Sequence, residues 1–372
     1  MTAPVLSPLQ APSSADPYPR YRELVQRGLF FDEALQLWIA AGAEAVTAAL
    51  TTPQLGVRPA AVPVPPALTA TAAGQVFQRL VRMTDGSFHS TVKPLVSAAL
   101  GGADTDRAAE LAREAATAVL RTRGADTLRR LMFDVPAAVV GQLCGLPADV
   151  DVAGLTRAFV RCIPASADEA DVRAASPAAT ELSRLLAPLL ADEADGLTGD
   201  LARAARLGGF DDTAALVANA IGLLSQTYDA TAGLIGNTLL AVAHHDTGTE
   251  IDEAYLLEVA RHDAPIQNTR RFAHADVQLG GTAIRAGQAV LVVLAAANRD
   301  PAANPDPDTF RRDRKQPALF TFGMGAHACP GRLLSVVIAT SVVRAACESS
   351  ALTAVNLSPR YLPLANARIP EL

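Results

Sequence analysis

The stretch 322–331 reads FGMGAHACPG and packs three glycines, one histidine and one cysteine into ten positions. Three chemistries compete for it: a phosphate-cradling loop, a redox or zinc thiol, and the seat of a single thiolate ligand. Gly323, Gly325 and Ala328 match the GxGxxA dinucleotide pattern. That reading needs a strand–turn–helix inside a βαβ unit and an acidic residue in a strand about 20 residues on, and neither is apparent in the sequence. A structural zinc site takes four ligands, and His327 is the one other ligand type close to Cys329.

The chain around this loop has 372 residues, half of them hydrophobic, and a net charge of -6. The acidic balance argues against nucleic-acid binding, which needs a basic face. The cysteines Cys144, Cys162, Cys329 and Cys347 lie far apart with no CxxC pair, which suits a reducing, cytoplasmic setting. The N-terminus has no basic n-region followed by an apolar h-region. No run of about 18 apolar residues occurs, so no transmembrane helix is expected.

Apolar residues at three- and four-residue spacing mark REAATAVLRTR, TELSRLLAPLL and RLLSVVIATSVVRAA as helices. A long proline-free segment from Thr213 to His245 is apolar on nearly every side, as in a helix buried through a large domain. Its interior cluster Ser225, Gln226, Thr227, Tyr228, Asp229 and Thr231 breaks that pattern and requires partners. Strand signals are short: LWIA near Trp38, DVQLGGTAIRAG with its successive glycine turns, and AVLVVLAA at 289–296. The expected fold is mostly α with a minor β-sheet, one domain over 1–372 with residues 1–15 flexible, and monomeric.

Pro330 suits the first turn of a helix, which places Cys329 at a helix N-terminus where N–H groups and the dipole stabilise a thiolate. Glycines at 323, 325 and 331 let the backbone turn tightly and approach a flat partner. A lone thiolate in such a loop is what a haem iron takes as its fifth ligand. The stretch resembles the haem-binding signature FGxGxHxCxG of the cytochrome P-450 superfamily at every specified position. Further motifs agree in order: Glu258 and Arg261 look like the ExxR pair, ANRDP at 297–301 is similar to a strand-end motif of bacterial members, and DPYPRYRELVQRG resembles their opening. The resemblance implies a domain with haem b held between the long central helix and the cysteine-loop helix, iron ligated by Cys329. It implies Phe322, Gly323, His327 and Gly331 around the haem, and His89, Lys93 and Arg271 as propionate partners. Lys93 stands where an arginine is usual, which keeps charge but loses the bidentate fork.

By the same resemblance the long helix crosses the distal face of the haem, with an acid and a threonine for proton delivery. Here the stretch is QTYDAT: Asp229 keeps the acid, Ala230 takes the threonine's place, and Gln226 replaces a small residue. Thr231 comes one residue late, roughly 100° around the helix. Gly222, Ser225, Gln226, Gln267, Asn268 and Thr269 are the candidate substrate pocket. Thr309 replaces an arginine in the loop after ANRDP, where Arg311, Arg312 or Arg314 is able to substitute.

The implied activity is that of a soluble haem-thiolate monooxygenase acting on a small-molecule or peptide-type substrate, in secondary-metabolite tailoring. The sequence carries no flavin, nicotinamide or iron–sulfur motif of its own, so a separate ferredoxin and ferredoxin reductase must supply electrons. An acidic ferredoxin is expected to dock on Arg311, Arg312, Arg314, Lys315 and Arg332. Oxidative aromatic coupling at the same centre stays open as an alternative. A non-catalytic haem sensor also does, although Asp229 and the basic loop argue against it.

Overall fold

The structure, a computed structural model, describes residues 6–122, 124–164, 167–245, 250–349, 355 and 358–372. By packing, these residues fall into two compact units. One holds the chain up to residue 60 together with 230–329 and 343 onward; the other holds 61–229 and 330–342.

The first unit is built on a five-stranded sheet. In chain order its strands are β1 (Leu29–Asp32), β2 (Leu37–Ala40), β3 (Leu55–Gly56), β4 (Thr269–Ala273) and, after the two-stranded hairpin β5 (Val277–Leu279) and β6 (Thr282–Ile284), β7 (Ala289–Val292). The spatial order is β1-β2-β7-β4-β3. β2 runs parallel to β7, with Trp38 opposite Val290, and the other pairings are antiparallel. Successive residues of a strand point to opposite faces. Accordingly Ala40, Val290 and Val292 join one apolar cluster, while Ile39 and Leu291 join another. A sheet covered on both faces explains why AVLVV reads as a continuous apolar run rather than an alternating one.

The expected strand at 289–296 is corrected at its end. β7 stops at Val292, and Leu294–Asn298 forms a short helix in which the Ala297 N–H donates to Val293 O (3.2 Å). Three consecutive alanines favour the helix, and no sheet partner remains to hold them extended. The described part of the N-terminus is also not loose. Ala11 is buried, and Arg368 donates to the carbonyls of Pro12, Ser14 and Ala15. Residues 1–5 lie outside the described chain.

The second unit is helical. Its helices include Gly86–Gly101, Thr105–Arg121, Thr127–Leu143, Val152–Val160, Glu169–Ala191 and Leu197–Leu207. Aspartates start three of them, Asp104, Asp151 and Asp168 each accepting from the backbone N–H three residues on. Small residues let the helices approach: a Cβ on Gly141 would lie 2.8 Å from Val152 Cγ2.

The long helix spans Thr213–His245, as the sequence pattern predicts. Residues 213–229 count with the second unit and 230–245 with the first. Among the described residues, no helix is long and apolar enough to cross a membrane. Asn219, almost fully buried, shows how a polar residue is accommodated on this helix. Its Oδ1 accepts from Val81 N–H (2.8 Å), and its Nδ2 donates to Arg79 O (2.9 Å) and Ala215 O (2.8 Å). The amide thereby fixes the 79–81 segment against the helix. Asn219→Ala orphans one buried donor and one acceptor of that segment. It is expected to destabilise the protein by ~1–3 kcal/mol, read from urea unfolding; an unchanged midpoint would show that water replaces the amide.

Candidate active site

In the first unit, the helix Glu253–His262 is capped by Asp252, whose Oδ1 accepts from Tyr255 N–H (2.9 Å). Glu258 and Arg261, three residues apart, share a face of it. Arg261 donates from Nε to Glu258 Oε2 (2.8 Å) and from Nη2 to Oε1 (2.7 Å), a bidentate pair with side-chain exposures of 0% and 2%. The remaining donors of Arg261 reach Asn298 O (3.2 Å), Pro307 O (2.8 Å) and Thr309 O (3.2 Å). Glu258 Oε1 also accepts from Arg311 N–H (2.7 Å) and Arg314 Nε (3.1 Å). Arg314 in turn donates to Pro305 O, Asp306 O and Thr309 O.

Of Arg311, Arg312 and Arg314, only Arg314 brings its side chain onto Glu258. The same finding corrects Arg314 as a docking residue, since its side chain is 8% exposed and its donors are spent internally. Arg311 and Arg312 are surface cations with acidic partners, Arg311 beside Asp306 and Asp313, and Arg312 on Asp252 (2.7 Å).

The network continues into the cysteine loop. Asn298 Oδ1 accepts from Phe320 N–H (2.7 Å), and its Nδ2 donates to Thr321 Oγ1 (2.7 Å). Thr321 Oγ1 donates to Ala260 O, one residue before Arg261. The Gly323 N–H then bonds Phe320 O (2.8 Å), and the Cys329 N–H bonds Phe322 O (2.8 Å). Gly323 (φ 68) and Gly325 (φ 65) adopt left-handed conformations. A Cβ there would press to 3.2 Å from His327 O and 3.3 Å from Leu50 O. The loop ends on an exposed Cys329. The following helix starts at Arg332, with Ser335 N–H donating to Gly331 O, so Pro330 precedes the cap instead of occupying the first turn.

Other expected site residues separate by environment. Arg271 on β4 is buried and donates to Thr269 Oγ1 (3.3 Å) and Arg270 O (2.9 Å). Gln267 is fully buried, its Nε2 on Ala264 O (2.6 Å) and its Oε1 accepting from Tyr21 (2.7 Å). Asn268 Nδ2 is held by Ala365 O (2.7 Å). Gln267 and Asn268 are therefore core residues rather than pocket lining, while Thr269 is half-buried. Thr231 is 1% exposed, turned into packing by its one-residue offset. Ala230 keeps a half-buried position.

In the second unit, His89 and Lys93 stand one turn apart on the helix Gly86–Gly101. Gly222, Gln226 and Asp229 share a face of the long helix, flanked by Ser225, whose buried Oγ has no hydrogen-bond partner among the described residues. Gln226 and Asp229 are half-buried. Burial pushes the Asp229 carboxyl above its ordinary range, and attraction to Arg82 partly offsets this. Thr227 bonds back to Leu223 O (2.8 Å), and Tyr228 packs on Phe133 with ring centroids 5.1 Å apart.

Comparison with known proteins agrees with this arrangement. The Cytochrome P450 family model matches residues 251–343, from the ExxR helix to the helix after Cys329. The chain is 30% identical to cytochrome P450 monooxygenase PikC of Streptomyces venezuelae, over 94% of this chain and 87% of that relative. The chain belongs to the cytochrome P450 family. It is also 26% identical to a beta-dihydromenaquinone-9 omega-hydroxylase of Mycobacterium tuberculosis, over 91% of this chain and 71% of that one. Among solved structures, CalO2 superposes with a TM-score of 0.85 at 21% identity, covering 99% and 98% of the two chains. P450BioI, solved with a hexadec-9Z-enoic acid ligated acyl carrier protein, gives 0.80 at 22% identity, covering 95% and 96%.

As a cytochrome P450 the protein is an oxidoreductase whose cofactor is haem b. The donor set fits that group. The loop presents one exposed thiol, and among the described residues no cluster of three or more His, Cys, Asp or Glu side chains is placed to hold a metal. An iron held by a porphyrin needs only one protein ligand on this side, and Cys329 would be the residue to hold it.

The Glu258 network makes a pH prediction. Burial alone would raise the Glu258 carboxyl, but bonds from Arg261 and the Arg311 N–H, the charge of Arg261 and the bond from Arg314 hold it below its ordinary value. Its contribution is thus fully present above the unfolded value of about 4.3 and is lost as pH falls through the lower folded value. Thermal melting from neutral pH into acid should show this loss, and Glu258→Gln should flatten that limb. Arg314→Ala, which strips one partner from a buried carboxylate, is expected to cost about 3–5 kcal/mol. A melting temperature unchanged in Arg314→Ala would show that Arg261 alone satisfies Glu258.

Proposed function

We propose that this cytochrome P450 is a monooxygenase that tailors a small or medium-sized organic metabolite, fed by a separate ferredoxin and its reductase. The observation that carries the reading is the exposed thiol of Cys329, at the end of a loop whose backbone is tied to the Glu258–Arg261–Arg314 network. Haem bound there supplies dioxygen activation and one-electron chemistry. Cys329 would hold it from one side, with Phe322, Gly323, His327 and Gly331 around it and His89, Lys93 and Arg271 on its carboxylates.

On the long helix Ala230 offers no hydroxyl, so proton delivery falls to Asp229. Its raised carboxyl holds a proton more readily than an ordinary aspartate. Gln226 makes no hydrogen bond to another described residue and is half-buried, which leaves its amide available to order a water beside Asp229. For the ferredoxin, exposed Lys315 is better suited than Arg311 and Arg312, whose charge is offset by neighbouring acids.

The test begins with the reduced, carbon monoxide-bound protein. It should show the red-shifted Soret band of thiolate ligation, near the usual region of about 450 nm. Cys329→His should lose that band, and its survival in Cys329→Ala would end the assignment. Turnover with a surrogate ferredoxin and reductase then reads the reaction from product mass. A gain of one oxygen supports the monooxygenase; a loss of two hydrogens moves the protein to oxidative coupling.

A further inference from the structure

Arg82 stands out in the second unit because its side chain bonds nothing. It lies on the short helical turn Val81–Met83, between buried Val81 and half-buried Met83. A guanidinium carries five N–H donors, yet Arg82 makes no hydrogen bond and no ion pair with another described residue; the one charge acting on it is Asp229. Its side chain is accessible to solvent, although the protein mass around it lowers its guanidinium from the ordinary value.

Local geometry brings this turn to the polar stripe of the long helix. Asn219 fixes Arg79 and Val81 to the helix by two hydrogen bonds, and Leu80 packs on Gly222, where an added Cβ would lie 3.2 Å from Leu80 Cδ2. The same Cβ would lie 2.9 Å from Gln226 Nε2, so the glutamine amide folds back over Gly222 beneath the turn. Asn219, Gly222, Gln226 and Asp229 are spaced by three, four and three residues, which keeps them on one helix face. Arg82, Gln226, Asp229 and the unpartnered Ser225 hydroxyl thus converge in one part of one unit.

We propose that Arg82 is the anion anchor of the substrate site, pairing its guanidinium fork with a carboxylate on the substrate while Gln226 Nε2 supplies a further donor. The fork matches a carboxylate in geometry and charge, and such a bond gains strength where water is partly excluded. Asp229 opposes the anion less than an ordinary carboxylate does. Burial drives it toward the neutral acid, and Arg82, the one charge holding it ionised, is spent on the ligand. An amide-bearing or purely apolar substrate would gain no charge-assisted bond from the guanidinium.

The proposal rests on the haem reading above, so the carbon monoxide band of the holoenzyme is recorded first; its absence sinks that reading. With the band present, binding is followed by the haem spectral shift for matched acids and primary amides: dodecanoate and dodecanamide, cinnamate and cinnamamide. The acids should bind the wild type roughly tenfold or more tighter than the amides. Arg82→Gln should erase this preference while leaving amide affinity and the carbon monoxide band intact, and Arg82→Lys should recover part of it. Amides bound as tightly as acids, an undiminished preference in Arg82→Gln, or no acid bound at all would overturn the anchor and leave the haem assignment standing.

Discussion

The buried pair of Glu258 and Arg261 is the constraint from which the cysteine loop takes its shape. Two charges taken out of water are costly, and a lone pair in an apolar core is often no better than hydrophobic residues of the same size. This pair is not alone. Arg261 reaches three backbone carbonyls and Glu258 accepts from Arg314 and the Arg311 N–H, so the whole 298–314 segment is folded around one carboxylate. Asn298 then hands the constraint to Phe320 and Thr321, and the loop hydrogen bonds carry it to the backbone of Cys329. The network's value lies in position: a thiolate ligand is useful only where its sulfur is held fixed.

The long helix meets the opposite problem, that of admitting polar groups without losing its packing. It does so by spending most of them locally. Asn219 bonds a neighbouring segment, Thr227 bonds its own helix, and Tyr228 buries its ring on Phe133. What is left unspent includes a short stripe of Ser225, Gln226 and Asp229, beside a glycine that makes room for it. Chemistry is available only from groups that packing has not already satisfied, and three of those on this helix lie together.

The sequence is informative here where a motif and its local geometry coincide. The ten-residue cysteine loop, the i,i+3 pair at 258 and 261, and the bounds of the helix at 213–245 all depend on neighbours a few residues apart, and spacing alone locates them. The short helix at 294–298 was not legible as such, because its alanines follow a strand with no break in hydropathy; the change comes from the end of strand pairing. Gln267 and Asn268 looked like pocket polars, yet Tyr21, 246 residues away, and Ala365 draw them into the core. Arg314 was one of three equivalent arginines until the turn at 305–309 took up its Nη donors and brought its Nε onto Glu258. Arg82 gave no signal at all, because what distinguishes it is the absence of partners.

Arg261 and Arg82 show how the same side chain comes to carry opposite meanings. Arg261 is sealed from water and its donors are all met, by a carboxylate and by three backbone carbonyls. Moving it would strand several buried groups at once, so it is fixed by what it holds. Arg82 is reached by solvent, meets no acceptor, and is countered only by an aspartate that burial pushes toward its neutral form. A free arginine of this kind is ordinary on an outer surface, where water completes it. On a turn pinned by Asn219 and packed against Gly222, the fork is held near the polar stripe of the long helix, where an acceptor from outside the chain is able to meet it. The satisfied arginine thus belongs to the scaffold, and the unsatisfied one to whatever the scaffold was built to hold.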